Sequence, residues 1–162
     1  LDELVLLWAH NNQIEDISAL SEMTGMQQLS LNDNAISDIS ALRGMIEMEH
    51  LFLSNNRIED IAPLRRLHAL KVLRLENNSI TDVSALAGVS ELEELSLARN
   101  WSLYNVQPLL LNSGLGDGDE LDLRFTHVRC SDMDAFENLG ATLLRVTAIN
   151  GSSCPGRRLE DP

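Results

Sequence analysis

A repeat of 22 residues constrains the fold of this chain more than any other feature. The segment LSLNDNAISDISAL (29–42) returns as LFLSNNRIEDIAPL (51–64) and as LRLENNSITDVSAL (73–86). A less regular copy, LWAHNNQIEDISAL (7–20), precedes them, and a further start, LSLARN, begins at Leu95. One asparagine ends each LxLxxN segment and recurs every 22 residues: Asn12, Asn34, Asn56, Asn78 and Asn100. A constant interval of this length predicts stacked structural units rather than one globular core.

The LxL segment of each unit alternates apolar and variable residues, as in a short β-strand with its leucines facing the core. Stacking the units about 4.8 Å apart would join these strands into one parallel sheet. The predicted core ladder comprises Leu29, Leu31, Leu51, Leu53, Leu73, Leu75, Leu95 and Leu97. Each strand ends at the repeating asparagine, whose amide can both donate and accept hydrogen bonds inside the turn. We therefore predict a structural role for the five asparagines rather than a ligand-binding one.

Apolar residues at intervals of three follow the asparagine, in the pattern IxD[IV]xxL. This spacing favours a single 3-10 turn over a long α-helix. An aspartate stands just before each turn, where its carboxylate can accept from free backbone N–H groups: Asp16, Asp38, Asp60 and Asp82. Pro63 falls inside the first turn, a position that proline tolerates. The repeated aspartates are interpreted as caps rather than as metal ligands.

Regularity ends after Asn100, because the next turn position, Thr126, comes 26 residues later. Within this longer repeat the segment 114–120 resembles half of a calcium-binding loop, but Leu121 occupies the position of the next oxygen ligand. We expect no metal there, with calcium as the alternative. The following core positions are predicted at Val128, Met133, Phe136 and Leu139.

The repeats predict one domain over residues 1–149, with about five regular repeats, one lengthened repeat and a closing strand at 144–146. Residues 150–162 are interpreted as a tail, in part vector-derived. The chain opens partway into a repeat without an initiator methionine, so we interpret it as a piece of something longer.

The formal net charge is −13, from 12 basic and 25 acidic residues. Such a field repels phosphate backbones and anionic lipid head groups and steers basic partners inward. No run approaches the roughly 18 apolar residues that a membrane span needs. We therefore predict neither nucleic-acid binding nor membrane insertion, and we expect a monomer.

The unit LxxLxLxxNxIxDIxxLxxL resembles the internalin-like branch of bacterial leucine-rich-repeat proteins, closely from Leu4 to about Leu109 and loosely to Val146. The resemblance implies an α/β fold, a right-handed leucine-rich-repeat solenoid (horseshoe) with a parallel concave sheet and short 3-10 turns on the convex side. It implies a concave sheet that binds a protein, often on a bacterial surface. We therefore expect an extracellular or cell-surface location, with the cytoplasm as the alternative. The chain departs from internalins in lacking a helical N-terminal cap and a following immunoglobulin-like domain.

If the leucines face inward, the residues between them form the concave surface in columns, and the middle column comprises Trp8, Ser30, Phe52, Arg74, Ser96, Asp122 and Arg145. The predicted ligand-binding residues are Trp8, His10, Gln28, His50, Phe52, Arg74, Glu76, Glu94, Asp122 and Arg124. Exposed aromatic side chains on a rigid sheet typically anchor interfaces. We predict a non-catalytic module that binds a protein partner. A glycan-binding surface module and a structural repeat segment of a larger surface protein are the alternatives.

Catalysis is not predicted, because the sequence has no GxSxG, CxxC or HExxH motif and no glycine-rich phosphate loop. A shallow sheet also lacks the deep cleft in which acid, base and nucleophile converge. We expect no cofactor and no metal.

The two cysteines, Cys130 and Cys154, are 24 residues apart, whereas the last two strands begin 23 residues apart, at Leu121 and Leu144. They should therefore lie at nearly the same height on adjacent coils, about 4.8 Å apart, within the range of a disulfide. We predict a disulfide that closes the C-terminal coil in an oxidising compartment. Two unrelated thiols are the alternative.

Overall fold

Six three-residue strands form one parallel sheet in the computed structural model, which describes residues 4–116, 118–129, 131–132 and 135–136. The strands are β1 (Leu6–Trp8), β2 (Gln28–Ser30), β3 (His50–Phe52), β4 (Val72–Arg74), β5 (Glu94–Ser96) and β6 (Glu120–Asp122). Each pairs with the next in chain order, so every coil of the chain adds one strand. The sheet and the turns between its strands confirm the predicted right-handed leucine-rich-repeat solenoid.

The central leucine of each strand stacks on that of the next, from Leu7 through Leu29, Leu51, Leu73 and Leu95 to Leu121. All of them except Leu7, in the first coil, are fully buried. Met26, Met45 and Met48 are also fully buried, and so is Phe136, a predicted core residue beyond the last strand. Aliphatic side chains from successive coils thus form one continuous core, as the repeat predicted.

Short turns return the chain along the convex side, as predicted. Four are 3-10 turns, η1 (Ser18–Leu20), η2 (Ser40–Gly44), η3 (Ala62–Arg66) and η4 (Ser84–Leu86), whereas the fifth, α1 (Gln107–Leu110), is one α-helical turn. The carboxylates of Asp16, Asp38, Asp60 and Asp82 accept a backbone N–H two residues ahead at 2.7–2.8 Å. Asn105 does the same for Gln107 at 3.0 Å. The predicted capping role of the four aspartates is therefore confirmed. In the longer repeat an asparagine has the same role.

The repeating asparagines link adjacent coils. The amide nitrogen of Asn78 donates to the carbonyls of Leu53 and Leu75, and its oxygen accepts the N–H of Ile58, all at 3.0–3.1 Å. Asn34, Asn56 and Asn100 make equivalent bonds. Asn12 differs, because it is exposed and its amide bonds only to carbonyls of its own turn. The ladder is thus confirmed for four asparagines, and at Asn12 the role is local.

A second repeating position, with a positive backbone φ angle, was not identified from the sequence. The residue before each ladder position has a left-handed backbone, with φ between 53° and 60°: Asn11, Asp33, Asn55, Asn77, Arg99 and Phe125. Asparagine and aspartate tolerate this conformation better than other non-glycine residues. The signal was present in the sequence as the pairs NN and DN, and it weakens to RN and FT in the last two coils.

The lengthened coil is held in place by Asn112, which is 3% exposed. Its amide donates to the carbonyls of Leu86 and Val89 at 2.6 and 2.9 Å, and its oxygen accepts the N–H of Gly114 at 2.8 Å. Gly114 lies so close to the previous coil that a Cβ atom there would stand 2.0 Å from the carbonyl oxygen of Ser90. The extra residues therefore pack as an ordered insertion.

Several predictions concern residues outside the described ranges. They include the Cys130–Cys154 disulfide, the closing strand at 144–146 and the tail at 150–162. The assignment of residues 1–149 to one domain likewise stays a prediction.

Candidate functional site on the outer face of the sheet

The side chains that flank the central leucines line up in columns on the outer, concave face of the sheet. One column runs through Leu6, Gln28, His50, Val72, Glu94 and Glu120, and the next through Trp8, Ser30, Phe52, Arg74, Ser96 and Asp122. The pairing register thus brings the sequence-predicted residues of the strands onto one surface. His10, Glu76 and Arg124 follow just after their strands.

An apolar edge forms the N-terminal part of this face. Trp8 is 66% exposed, and Val5 and Leu6 are also largely exposed. Phe52 is half-buried, two coils from Trp8, and the intervening residue of the column is the small, buried Ser30. Two aromatic side chains therefore lie on either side of a small, buried residue in this column.

The two histidines of this part have different surroundings. His10 is exposed, with Nδ1 3.4 Å from the hydroxyl of Ser30. His50 is half-buried beside half-buried Gln28, and its Nδ1 is buried without a hydrogen-bond partner. In the described part of the chain no group of histidine, cysteine and acidic residues is placed to hold a metal.

Ion pairs dominate the C-terminal part of the face. Arg74 Nε lies 2.6 Å from Glu94 Oε1, and the Arg74 guanidinium also sits 5.8 Å from the centre of the Phe52 ring. Arg124 contacts both carboxylate oxygens of Asp122, at 2.5–3.0 Å. These carboxylates raise the pKa of each guanidinium, mainly through the hydrogen bonds that it donates. Arg74 is thereby held by the neighbouring strand, and Arg124 by a residue of its own coil.

A hollow of about 360 Å³ opens between these ion pairs. Its floor includes Leu95 and Ser96, and its walls are formed by Arg74, Glu76, Glu94, Glu120, Asp122 and Arg124. Ser96 is 5% exposed, and its hydroxyl oxygen is buried without a hydrogen-bond partner among the described residues. Sequence reasoning placed Ser96 in the right column but did not identify the hollow, which results from a small residue between two large ones.

Sequence reasoning also missed an aromatic cluster beside the sheet, where the lengthened coil begins. The rings of Trp101 and Phe125 are 6.0 Å apart, and those of Tyr104 and His127 stack at 4.8 Å. Arg99 lies 5.6 Å from the Phe125 ring. Trp101, Tyr104 and Phe125 are exposed. Because the contacts join residues 23–26 positions apart across an irregular repeat, the 22-residue pattern gave no signal for them.

Comparison with known sequences shows the family to which this chain belongs. A family model described as Leucine Rich repeats (2 copies) matches residues 2–44 and again residues 46–88, together more than half of the chain. The chain therefore belongs to the leucine-rich-repeat family, whose domains are typical protein-interaction modules. A search of curated proteins found no significant match.

Solved structures refine the class. Internalin C2 from Listeria monocytogenes is 25% identical, with a TM-score of 0.64, 92% of this chain covered and 77% of that chain. Internalin F from the same species is 24% identical, with a TM-score of 0.64 and 86% of this chain covered. This chain spans 48% of internalin F. A plant peptide hormone receptor in complex with RGF2 is 18% identical, with a TM-score of 0.67, covering 79% of this chain and 22% of the receptor. The chain is thus an internalin-like bacterial leucine-rich-repeat protein.

In the described ranges no helix has both the length and the apolar character required to span a bilayer.

Proposed function

We propose that this domain is a non-catalytic recognition module that binds a protein partner on the outer face of its sheet. The observation that carries the proposal is the exposure of Trp8, 66%, in the same column as Phe52 on a hydrogen-bonded parallel sheet. Aromatic side chains in fixed positions lose little conformational entropy on binding and are enriched among interface anchors. The solved receptor complex supports this use of the fold, since that protein carries a bound peptide hormone.

The charge of the chain supports the same reading. A formal charge of −13 favours encounter with basic protein surfaces over nucleic acids. By analogy with the internalins, we further propose an extracellular or cell-surface location and a monomeric domain.

The proposal is tested by capturing a partner from extracts of the native host or community and measuring its affinity for variants. The Trp8→Ala, Phe52→Ala double variant should bind about tenfold more weakly or worse, because truncated anchors typically cost more than 1 kcal/mol. Ile46→Ala is the matched control, since Ile46 is 59% exposed but lies outside the strands. Unchanged affinity of the double variant would exclude the outer face as the site.

A further variant separates the outer face from the aromatic cluster beside it. Trp101 is 48% exposed and belongs to that cluster. Trp101→Ala should bind like the parent. If it alone loses the partner, the recognition surface is the cluster, and the assignment to the sheet is wrong.

Glycan recognition is the second candidate. It is favoured by the two aromatic residues Trp8 and Phe52 with the small Ser30 between them, since sugar rings stack on aromatic faces. A glycan array probed in parallel with the parent and the double variant tests it. A glycan signal that the double variant loses, together with no captured protein, would replace protein recognition by glycan recognition.

A further inference from the structure

We propose that the hollow over Ser96 receives a lysine or arginine side chain of the protein partner. The inference rests on the proposed function and adds the chemistry of one contact. It starts from a buried hydroxyl group and from the balance of charge around it.

The hydroxyl of Ser96 is buried and has no hydrogen-bond partner among the described residues. A buried polar group without a hydrogen-bond partner costs about 1–3 kcal/mol, and native structures contain few of them. Ser96 lines an open hollow, so its hydroxyl lies beside the space that a ligand would fill. That oxygen can accept a hydrogen bond from an ammonium or a guanidinium group.

The second argument is an excess of negative charge in the walls. Four carboxylates, of Glu76, Glu94, Glu120 and Asp122, surround two guanidinium groups. Glu94 and Asp122 are engaged by Arg74 and Arg124, respectively. Glu120 makes no ion pair with another described residue, and Glu76 accepts the hydroxyl of Ser54. An anionic ligand would add to an excess of two negative charges, whereas one cationic side chain would reduce that excess to one.

Two acidic residues at the edge of the hollow lie opposite each other on neighbouring strands. Glu94 on β5 and Glu120 on β6 are direct partners across the strand pair. Like charges in this position destabilise a sheet. A cation between them would relieve that repulsion. A metal ion is not the natural candidate, because no metal-binding group is found among the described residues, whereas an organic cation can fill the space beside Ser96.

The test uses N-acetyl-arginine amide as the probe and N-acetyl-citrulline amide, its neutral near-isostere, as the control. Backbone amide shifts of the isotope-labelled full chain are followed by NMR during titration. The arginine probe should produce saturable shifts at Leu95, Ser96 and Leu97, and the citrulline probe should bind at least tenfold more weakly. No saturable shift at these amides, or equal binding of the two probes, would overturn the proposal.

Variants separate a specific site from a general acidic field. Glu120→Gln should weaken the arginine probe several-fold, whereas Glu47→Gln, at an exposed position outside the strands, changes the net charge equally and should have no effect. Ser96→Ala, which keeps the hollow open, should also weaken binding. Equal losses in the two glutamine variants would reduce the effect to the overall charge and overturn the inference.

The outcome is also separable from that of the proposed function. If a captured partner depends on Trp8 and Phe52 but binds Glu120→Gln like the parent, the function stands and the cationic contact is wrong. If the arginine probe binds the hollow while the partner ignores the whole outer face, the proposed function is wrong, and with it the assignment of this contact to the partner.

Discussion

The inner and outer sides of the same strands follow opposite rules. On the inner side every central position is leucine, and from Leu29 to Leu121 each of them is fully buried. On the outer side, the column that starts with Trp8 continues through serine, phenylalanine, arginine, serine and aspartate. Packing fixes the first set, because any change of volume is felt by two neighbouring coils. The second set is free to vary, as the proposed role of this face in recognition requires.

The largest expected effect is the loss of a core leucine. Leu73→Ala should lower the free energy of unfolding by about 2–5 kcal/mol, because it removes buried methyl groups and leaves a cavity. Leu111→Ala is the matched control, since Leu111 is 78% exposed and should change stability by less than about 0.5 kcal/mol. Urea melts of both variants provide the comparison. Equal effects at the two positions would contradict the assignment of inside and outside.

The next effect concerns the ladder asparagines. Asn78→Ala should cost about 1–3 kcal/mol, because the N–H of Ile58 and the carbonyls of Leu53 and Leu75 lose their partner in a buried turn. Asn12→Ala should cost much less, because Asn12 is exposed and bonds only within its own turn. Thermal or urea unfolding distinguishes them, and a larger loss for Asn12→Ala would show that the ladder is not the source of stability.

The lengthened coil offers a comparison of two glycines. Gly114→Ala should cost about 1–3 kcal/mol through overpacking, because the new Cβ meets the backbone of Ser90. Gly88→Ala should be neutral or slightly stabilising, since nothing lies within 4 Å of a Cβ there. Chemical denaturation of the two variants tests whether the insertion packs as described. A neutral Gly114→Ala would show that the coil is looser than this contact requires.

The smallest expected effect on stability comes from the capping aspartates of the convex turns. The backbone N–H of Ser40 lowers the pKa of Asp38 below its ordinary value, and that of Ser18 does the same for Asp16. A carboxylate with a lowered pKa in the folded state stabilises the fold above its unfolded pKa, and this contribution disappears as the pH falls through the folded pKa. NMR titration should find both pKa values lowered. In Asp38→Asn, which keeps the accepting oxygen but does not titrate, the acid-dependent loss of stability should be smaller. An unshifted pKa for Asp38 would contradict the capping hydrogen bond.

Sequence alone predicted the repeating part of the molecule well, for a physical reason. A three-residue strand, a fixed interval and an asparagine that bonds both neighbouring coils leave one register, so Trp8, Phe52 and Arg74 could be assigned to one column in advance. The hollow over Ser96 depends on side-chain volumes and on two ion pairs, of which only Arg74–Glu94 joins neighbouring coils, and no interval encodes these features. The contact of Trp101 with Phe125 and the anchoring by Asn112 arise where the interval changes, and the pattern is silent there.

We propose that a protein partner binds the outer face of the sheet rather than the convex turns or the aromatic cluster. Chemical-shift mapping of the isotope-labelled protein with its captured partner tests it most directly. The shifted amides should lie in β1 to β6, with the largest changes around Trp8 and Phe52, while those of η2 and η3 on the convex side do not shift. Shifts confined to the convex turns, or to the cluster of Trp101 and Phe125, would contradict the claim.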